Sequence, residues 1–460
     1  MSVSRTGAST IRAALRTASA SSRSLSTSAV AARSSKALLS SRLGSHNADV
    51  PACKVGLARW MQSSARCSDA KGEAMSSPSA PLTSDVSKTG LYDFHIQHGG
   101  KMVPFGGYLM PLTYGDVGQV ASHHHVRTHT GLFDVGHMVQ HTFKGPGALK
   151  FLQHLTPASL GPMENFSSTL SVLLSEQGGI LDDLIITKHA EDSFYVVTNA
   201  GCRTEDLAWF KKQLDQWTGD KVEHNVMEGW GLLALQGPTA AAVLTKLIPA
   251  SFDLNTLTFG KSAFVPLRVD GQDVECHVAR AGYTGEDGFE ISIPPASTVA
   301  LAEALVADSE VQLAGLAARD SLRLEAGMCL YGHDLDASVS PIEGALAWVV
   351  GKDRRAAADF LGAERVLREL KEGPPRRRVG LFVNGGIARE GAPLYTDDGK
   401  LVGRVTSGIP SPTTGRNIAM ALVENGQHKK GTKLKVEIRK KLRDAEVAKL
   451  PFVENKFFRG

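Results

Sequence analysis

Apolar side chains recur at short intervals along most of the chain beyond about residue 90, and their spacing predicts mainly short strands with a few helices. Thr169–Leu174 and Ile180–Thr187 are β-like runs separated by Glu176-Gln177-Gly178-Gly179, which predicts a hairpin whose two glycines supply the turn. Phe194–Thr198 predicts the next strand. His277–Ala281 and Phe289–Ile293 predict strands flanking the glycine-rich turn Gly282–Gly288. Helical spacing is found in Glu205–Leu214, with Leu207, Phe210 and Leu214 on one side. It recurs in Leu313–Gly327, which Gly327 should end. After the basic stretch Pro374-Pro375-Arg376-Arg377-Arg378, read as a solvated connector, come Val379–Val383, Leu401–Thr406, Ile418–Leu422 and Lys433–Ile438. Their even spacing, broken by Gly, Pro and Asn, predicts a small all-β barrel or sandwich over residues 376–460.

Charge divides the chain. Of its 460 residues, the first 85 carry eleven Lys/Arg against four Asp/Glu, and the remainder 40 against 43. The long body is close to neutral and has no global electrostatic reason to seek nucleic acid. Ahead of the first acidic residue, Asp49, lie Arg5, Arg12, Arg16, Arg23, Arg33, Lys36 and Arg42 among Ser, Ala and Leu. This composition predicts an organellar presequence within residues 1–85, mitochondrial rather than plastid. The alternative is a disordered tail without an address. Arg23-Ser24-Leu25-Ser26 and Arg59-Trp60-Met61-Gln62 are both candidate processing sites. No run of 18 apolar residues occurs, so no membrane insertion is expected. The five cysteines, Cys53, Cys67, Cys202, Cys276 and Cys329, lack CxxC spacing, which disfavours a disulfide framework or structural zinc.

Several motifs fail on inspection. Gly260-Lys261-Ser262 lacks the leading glycine of a phosphate loop, because Asn255 stands there. No GxGxxG follows a strand, so no nucleotide cofactor is expected. His123, His124, His125 and His129 lack the glutamate of HExxH and have no cysteine nearby, so structural or surface roles outweigh metal ligation.

Three segments can carry chemistry. In Gly178-Gly179-Ile180-Leu181-Asp182-Asp183-Leu184, adjacent strand residues face opposite ways, so Asp182 and Asp183 cannot point to one place. One carboxylate must share a face with Leu181 and Ile185, where it would be paired or shifted upward in pKa. Alternatively, both cap the turn or meet solvent. In Gly282-Tyr283-Thr284-Gly285-Glu286-Asp287-Gly288-Phe289-Glu290-Ile291-Ser292, Phe289 and Ile291 share a face and Glu290 looks out from the other. Glu290 could accept two parallel N–H bonds from a planar amidine-like edge, or stand on a solvated face. Arg319 and Arg323, one helical turn apart, could bind an anionic group or pair with Asp320 or Glu325.

Taken together these segments resemble the aminomethyltransferase (T-protein) family of glycine cleavage systems. The resemblance is carried by LYDFHIQHGGKMVPFGGY (91–108), GLFDVGHM (131–138), GGILDDLI (178–185), YVVTNAGC (195–202), LLALQGPTA (232–240), GYTGEDGFEIS (282–292), GLAARDSLRLEAGMCLYG (315–332) and GRVTSGIPSP (403–412), in family order. It implies an α+β, three-domain cloverleaf around a central folate site. Two α+β domains would form the folate-binding region over residues 90–350, and the C-terminal domain would be a small β-barrel. The implied reaction moves a one-carbon unit from the aminomethyl group on the lipoyl arm of H-protein to tetrahydrofolate as co-substrate. Its products would be 5,10-methylenetetrahydrofolate, ammonia and dihydrolipoyl H-protein. No metal would be needed, the partners would be lipoylated H-protein and, transiently, other glycine cleavage components, and the location would be the mitochondrial matrix.

Residue by residue, the resemblance implies that Asp183 lies near the folate N10 and is catalytic. Glu290 would bind the pterin edge, Arg319 would bind the ligand, and Met138, Asn199 and Tyr283 would line the cavity. Gly136 stands where close relatives often have serine, and Phe457 where some have tyrosine. Similar modules are also fused to sarcosine- and dimethylglycine-type dehydrogenases, whose FAD-binding glycine fingerprint is missing here. A non-catalytic relative serving iron–sulfur assembly would be expected to lack the DDL, GYTGED and AARDS segments together.

Overall fold

A computed structural model describes residues 86–460, so the expected presequence lies outside the described residues. The described chain is α+β and is built on two sheets and a barrel, with a small three-stranded sheet at its start.

The first large sheet holds the hairpin. Its order is Ser167–Leu174, Ile180–Ala190, Ser193–Thr198, Val139–Lys144 and Glu223–Val226, all antiparallel. The predicted turn forms with Gly178 at φ +77°, where a side chain is strained. A Cβ on Gly179 would lie 1.8 Å from the Ala337 carbonyl oxygen, so the second glycine is required by close approach. Asp182 pairs across the ladder with Leu173, and Asp183 with Val172. The pleat sends Asp182 into the core beside Leu184 and Ile186, and turns Asp183 to the opposite face with Leu181 and Ile185.

The helix Arg203–Asp215 covers the core face. Its buried positions are Asp206, Phe210 and Gln213, while Leu207 and Leu214 are half-buried. Phe210 and Leu214 of the expected stripe pack on the core, and the same helix also buries the Asp206 carboxyl.

The second sheet runs Ser262–Val269, Gln272–Ala279, Gly288–Ile293, Gly231–Gln236, Thr130–Asp134 and Val311–Leu313, the last pair parallel. Glu290 stands between Ala234 and Ala279 on its two neighbours, whose methyl groups leave room above it. The predicted strand from His277 ends at Ala279, before the glycine-rich turn. The predicted Leu313–Gly327 helix spans Leu316–Glu325, because Leu313 completes the Val311–Leu313 strand; Gly327 follows at φ +74°.

That helix joins this sheet to the barrel. Arg323 donates to Asp320 at 2.9 Å, to Asp334 at 2.7 Å and to Ser407 at 3.0 Å. Glu325 accepts from Arg127 at 2.8 Å and from the Ser411 hydroxyl at 2.5 Å. The C-terminal element is a closed barrel, not a sandwich: Arg376–Val383, Asn417–Glu424, Leu401–Pro410, Pro393–Tyr395, Lys433–Ile438 and Lys441–Ala448, which pairs back to the first. The arginine triplet opens the first of these strands and is not a solvated connector. Arg376 donates to Glu343 at 2.8 Å, and Arg378 is buried and donates to the Gly344 carbonyl at 2.8 Å. Arg376 and Arg378 thus meet a carboxylate and a carbonyl brought there by the tertiary fold, while Arg377 donates to the Asn425 side chain at 3.0 Å.

Candidate functional site

Two short loops fix the walls of the site. Thr130–Asp134 ends in a carboxylate that accepts from Thr89 at 2.7 Å, from His95 Nε2 at 2.9 Å and from the Gly136 N–H at 2.8 Å. Burial works against its charge, yet these donors hold Asp134 below the usual carboxylate range. The loop is thereby pinned, with Met138 packed beside Phe133, Val197 and Leu322. A Cβ on Gly136 would approach Asp134 Oδ1 to 3.0 Å, so glycine relieves the crowding at this position. On the other side, the turn before Gly288–Ile293 carries Tyr283, whose hydroxyl donates to the Cys329 carbonyl. The C-terminal segment folds over this turn: Lys456 N–H donates to the Gly285 carbonyl at 2.8 Å, and Phe457 stacks on Phe259 with centroids 4.0 Å apart.

Asp183, Glu290, Arg319, Tyr283, Asn199 and Met138 are all half-buried, although each stands deep in the fold. Half-burial leaves each of these side chains partly accessible instead of sealed in the core. Their mutual influence places four of them around the same space. The Arg319 guanidinium lies over the Tyr283 ring at 4.6 Å. It also attracts Glu290, and the charge of Asp183 acts on Tyr283. Asn199 joins the group through Asp183, to which its Nδ2 donates at 3.1 Å.

The electrostatics are unusual for a structural cluster. Burial, then the neighbouring Asp182 charge, pushes the Asp183 carboxyl up to about 7, against the hydrogen bond from Asn199. Burial raises Glu290 as well, opposed by Arg319. Burial lowers Arg319, opposed by Tyr283 and Glu290. Burial also raises Tyr283 and, to about 12, Cys329, so both stay protonated at neutral pH. Displaced carboxyls of this kind gather where chemistry occurs. The site can hold a planar ligand with an N–H edge at Glu290 and move a proton at Asp183 near pH 7.

Sequence reasoning left Arg323 open between anion binding and pairing; the structure commits it to Asp320 and Asp334. It assigned no role to Asp182, whose oxygens accept from the Asn199 N–H and side-chain amide at 2.8 Å each. The doubled aspartate was the available signal. Asp334 and Cys329, both felt by Asp183 or feeling it, gave no local signal at all. The histidines are used structurally. His123 bonds Ser321 at 2.8 Å and Thr413 at 2.9 Å, and His125 Nε2 stands 3.1 Å from two backbone carbonyls. Among the described residues, no three His, Cys, Asp or Glu side chains are arranged to hold a metal.

Residues 91–354 match the family model of the GCVT N-terminal domain, and residues 376–454 that of the glycine cleavage T-protein C-terminal barrel domain. The chain is 48% identical over 381 residues to a probable mitochondrial aminomethyltransferase of Schizosaccharomyces pombe, covering 83% of this chain and 96% of that one. It is 46% identical over 376 residues to the mitochondrial aminomethyltransferase of Homo sapiens, covering 81% and 91%. The fold is similar to the crystal structure of glycine cleavage system aminomethyltransferase T from Bartonella henselae. There the TM-score is 0.75 and the identity 41%, covering 81% of this chain and 99% of that one.

Proposed function

Since the chain belongs to the glycine cleavage T-protein family of aminomethyltransferases, we propose that the site around Asp183, Glu290 and Arg319 binds tetrahydrofolate and receives the aminomethyl-bearing lipoyl arm of H-protein there. The chain is a transferase of the glycine cleavage system and, like its eukaryotic relatives, mitochondrial. What carries the finer reading is the grouping of Asp183, held by Asn199 at 3.1 Å, with Tyr283, Arg319 and Glu290, where burial and the Asp182 charge push the Asp183 carboxyl up to about 7.

The residues present suit such a ligand. Glu290, raised by burial, is shifted toward its charged form when a pterin edge donates two parallel N–H bonds to it, so binding and protonation of this group are linked. Arg319, held over Tyr283, supplies a fixed positive charge at the same wall. Asp183 is the acid–base group. In the net reaction, the carbon loses its bonds to sulfur and to the ammonia nitrogen and gains bonds to two folate nitrogens. The two folate N–H protons end on ammonia and on the dihydrolipoyl thiol. A carboxyl poised near pH 7 can take such a proton and return it, and its anion stabilises positive charge developing on the carbon. Asn199 holds that carboxylate in place.

The reading is tested by tetrahydrofolate-dependent ammonia release from aminomethylated H-protein. Release that requires folate supports it. Folate binding without release would move the assignment to the non-catalytic folate-binding relatives.

A further inference from the structure

We propose that Asp206 is a positioning residue for this site: its carboxyl shares one proton with that of Asp182, and this proton keeps Asp182 in the posture that fixes Asn199 against Asp183. The inference rests on reading Asp183 as the acid–base group.

Asp206 lies on the helix Arg203–Asp215 and is 1% exposed. Both of its carboxyl oxygens are sealed from water, and neither meets a donor in hydrogen-bond geometry. A carboxylate left so would be strongly disfavoured against its neutral form. The groups facing it are few. The Asp182 carboxyl on the strand Ile180–Ala190 and the Thr198 hydroxyl at the end of Ser193–Thr198 are the groups within hydrogen-bonding influence of it. Cys202 approaches from the turn before the helix, Glu205 from the helix itself, and Tyr331 from beyond Asp182. None of these is a cation, and Arg203, one turn earlier on the helix, is paired with Glu228. The Thr198 hydroxyl already meets His141 Nε2 at 3.2 Å, and His141 in turn meets His224 at 3.0 Å. Burial keeps both histidines neutral, down to about 3 and about 4.

Two carboxyl groups within hydrogen-bonding influence of each other and without a cation cannot both ionise, so one proton serves the pair. Geometry says where it resides. Asp182, 0% exposed, already accepts from the Asn199 N–H and from its amide, both at 2.8 Å, as an anion should. Asp206 faces no N–H donor and only the Thr198 hydroxyl, so it is the protonated member and donates to Asp182. Burial, then each other's charge for Asp206, displaces both upward, in agreement. The same Asn199 amide reaches Asp183 Oδ1 at 3.1 Å, which completes the line from Asp206 to the site. Asp206 touches no ligand, so its effect is transmitted through Asp182 and Asn199.

The test uses full-chain Asp206→Asn, Asp206→Leu and Asp183→Asn, with steady-state kinetics, a pH profile and the infrared carbonyl band of protonated carboxyls. Asparagine at 206 can still donate to Asp182, so Asp206→Asn should retain turnover within about threefold and lose one protonated-carboxyl band. Asp206→Leu should lower kcat by about 10- to 100-fold with the tetrahydrofolate KM within about threefold, and should displace the acid limb of the pH profile. Equal impairment of both variants, an unmoved profile in Asp206→Leu, or an unchanged infrared spectrum in Asp206→Asn would overturn the proposal. If Asp206→Leu does not fold, the Asp206→Asn kinetics and spectrum decide alone. Full turnover in Asp183→Asn would instead defeat the reading of Asp183, while the infrared result still reports on the shared proton.

Discussion

The side-chain amide of Asn199 donates to Asp183 Oδ1 at 3.1 Å, and this is a hydrogen bond that favours the charged form of a carboxyl otherwise driven neutral by burial. The bond therefore tunes the group as well as holding it.

Removing that bond should raise the Asp183 pKa further. Asn199→Ala is expected to move the acid limb of the kcat–pH profile to higher pH and to lower kcat near pH 7 by about 10-fold or more. Turnover measured from pH 5.5 to 9 checks this; a stationary limb would mean that Asp183 does not set it.

Asp183 also bears on stability. Its folded-state value of about 7 lies above the unfolded carboxyl value, so its contribution is present at low pH and is lost as pH rises through about 7. Asp183→Asn should thus stabilise the fold at pH 8, by at most on the order of 4 kcal/mol, with the gain vanishing toward pH 4. Denaturant melts of both proteins at the two pH values measure it.

Glu290 is placed to bind, not to transfer protons. Glu290→Gln should weaken tetrahydrofolate binding by about 30-fold or more, because one of two accepting oxygens becomes a donor. The variant has no carboxyl here to ionise, so it should release fewer protons on binding than the wild type when the two are compared in buffers of different ionisation enthalpy. Unaltered affinity by calorimetry would remove Glu290 from the site.

Arg323 and Asp334 form a buried pair that ties the Leu316–Glu325 helix to the barrel, aided by Thr406 and Ser407. Asp334→Ala leaves the buried Arg323 with Asp320 as its remaining carboxylate partner and should cost up to about 3 kcal/mol. Replacing Arg323 and Asp334 by leucine should recover part of that loss, which thermal unfolding of the single and double variants would reveal.

How far sequence reasoning reached follows from what patterning can report. Alternation identifies which residues share a strand face, so the hairpin, the divided Asp182–Asp183 pair and the outward Glu290 were all readable. The partner of a charge is a tertiary fact. Arg376 finds Glu343 through folding, and so a stretch that composition makes a connector becomes the first strand of a barrel. Likewise Asp206 reads as a surface residue of an amphipathic helix, because its partner Asp182 lies on a separate strand. The resemblance of ordered motifs supplied residue roles that periodicity alone left open for Glu290 and Arg319. It said nothing of the residues behind them.

The most direct test of the account is the turnover of Asp183→Asn in the full chain, measured as tetrahydrofolate-dependent ammonia release from aminomethylated H-protein beside the tetrahydrofolate affinity of the same protein. The account predicts that affinity stays within a few-fold while most turnover is lost, together with the limb near pH 7. Equal loss of affinity and turnover would make Asp183 a binding residue, and retained turnover would contradict the central claim outright.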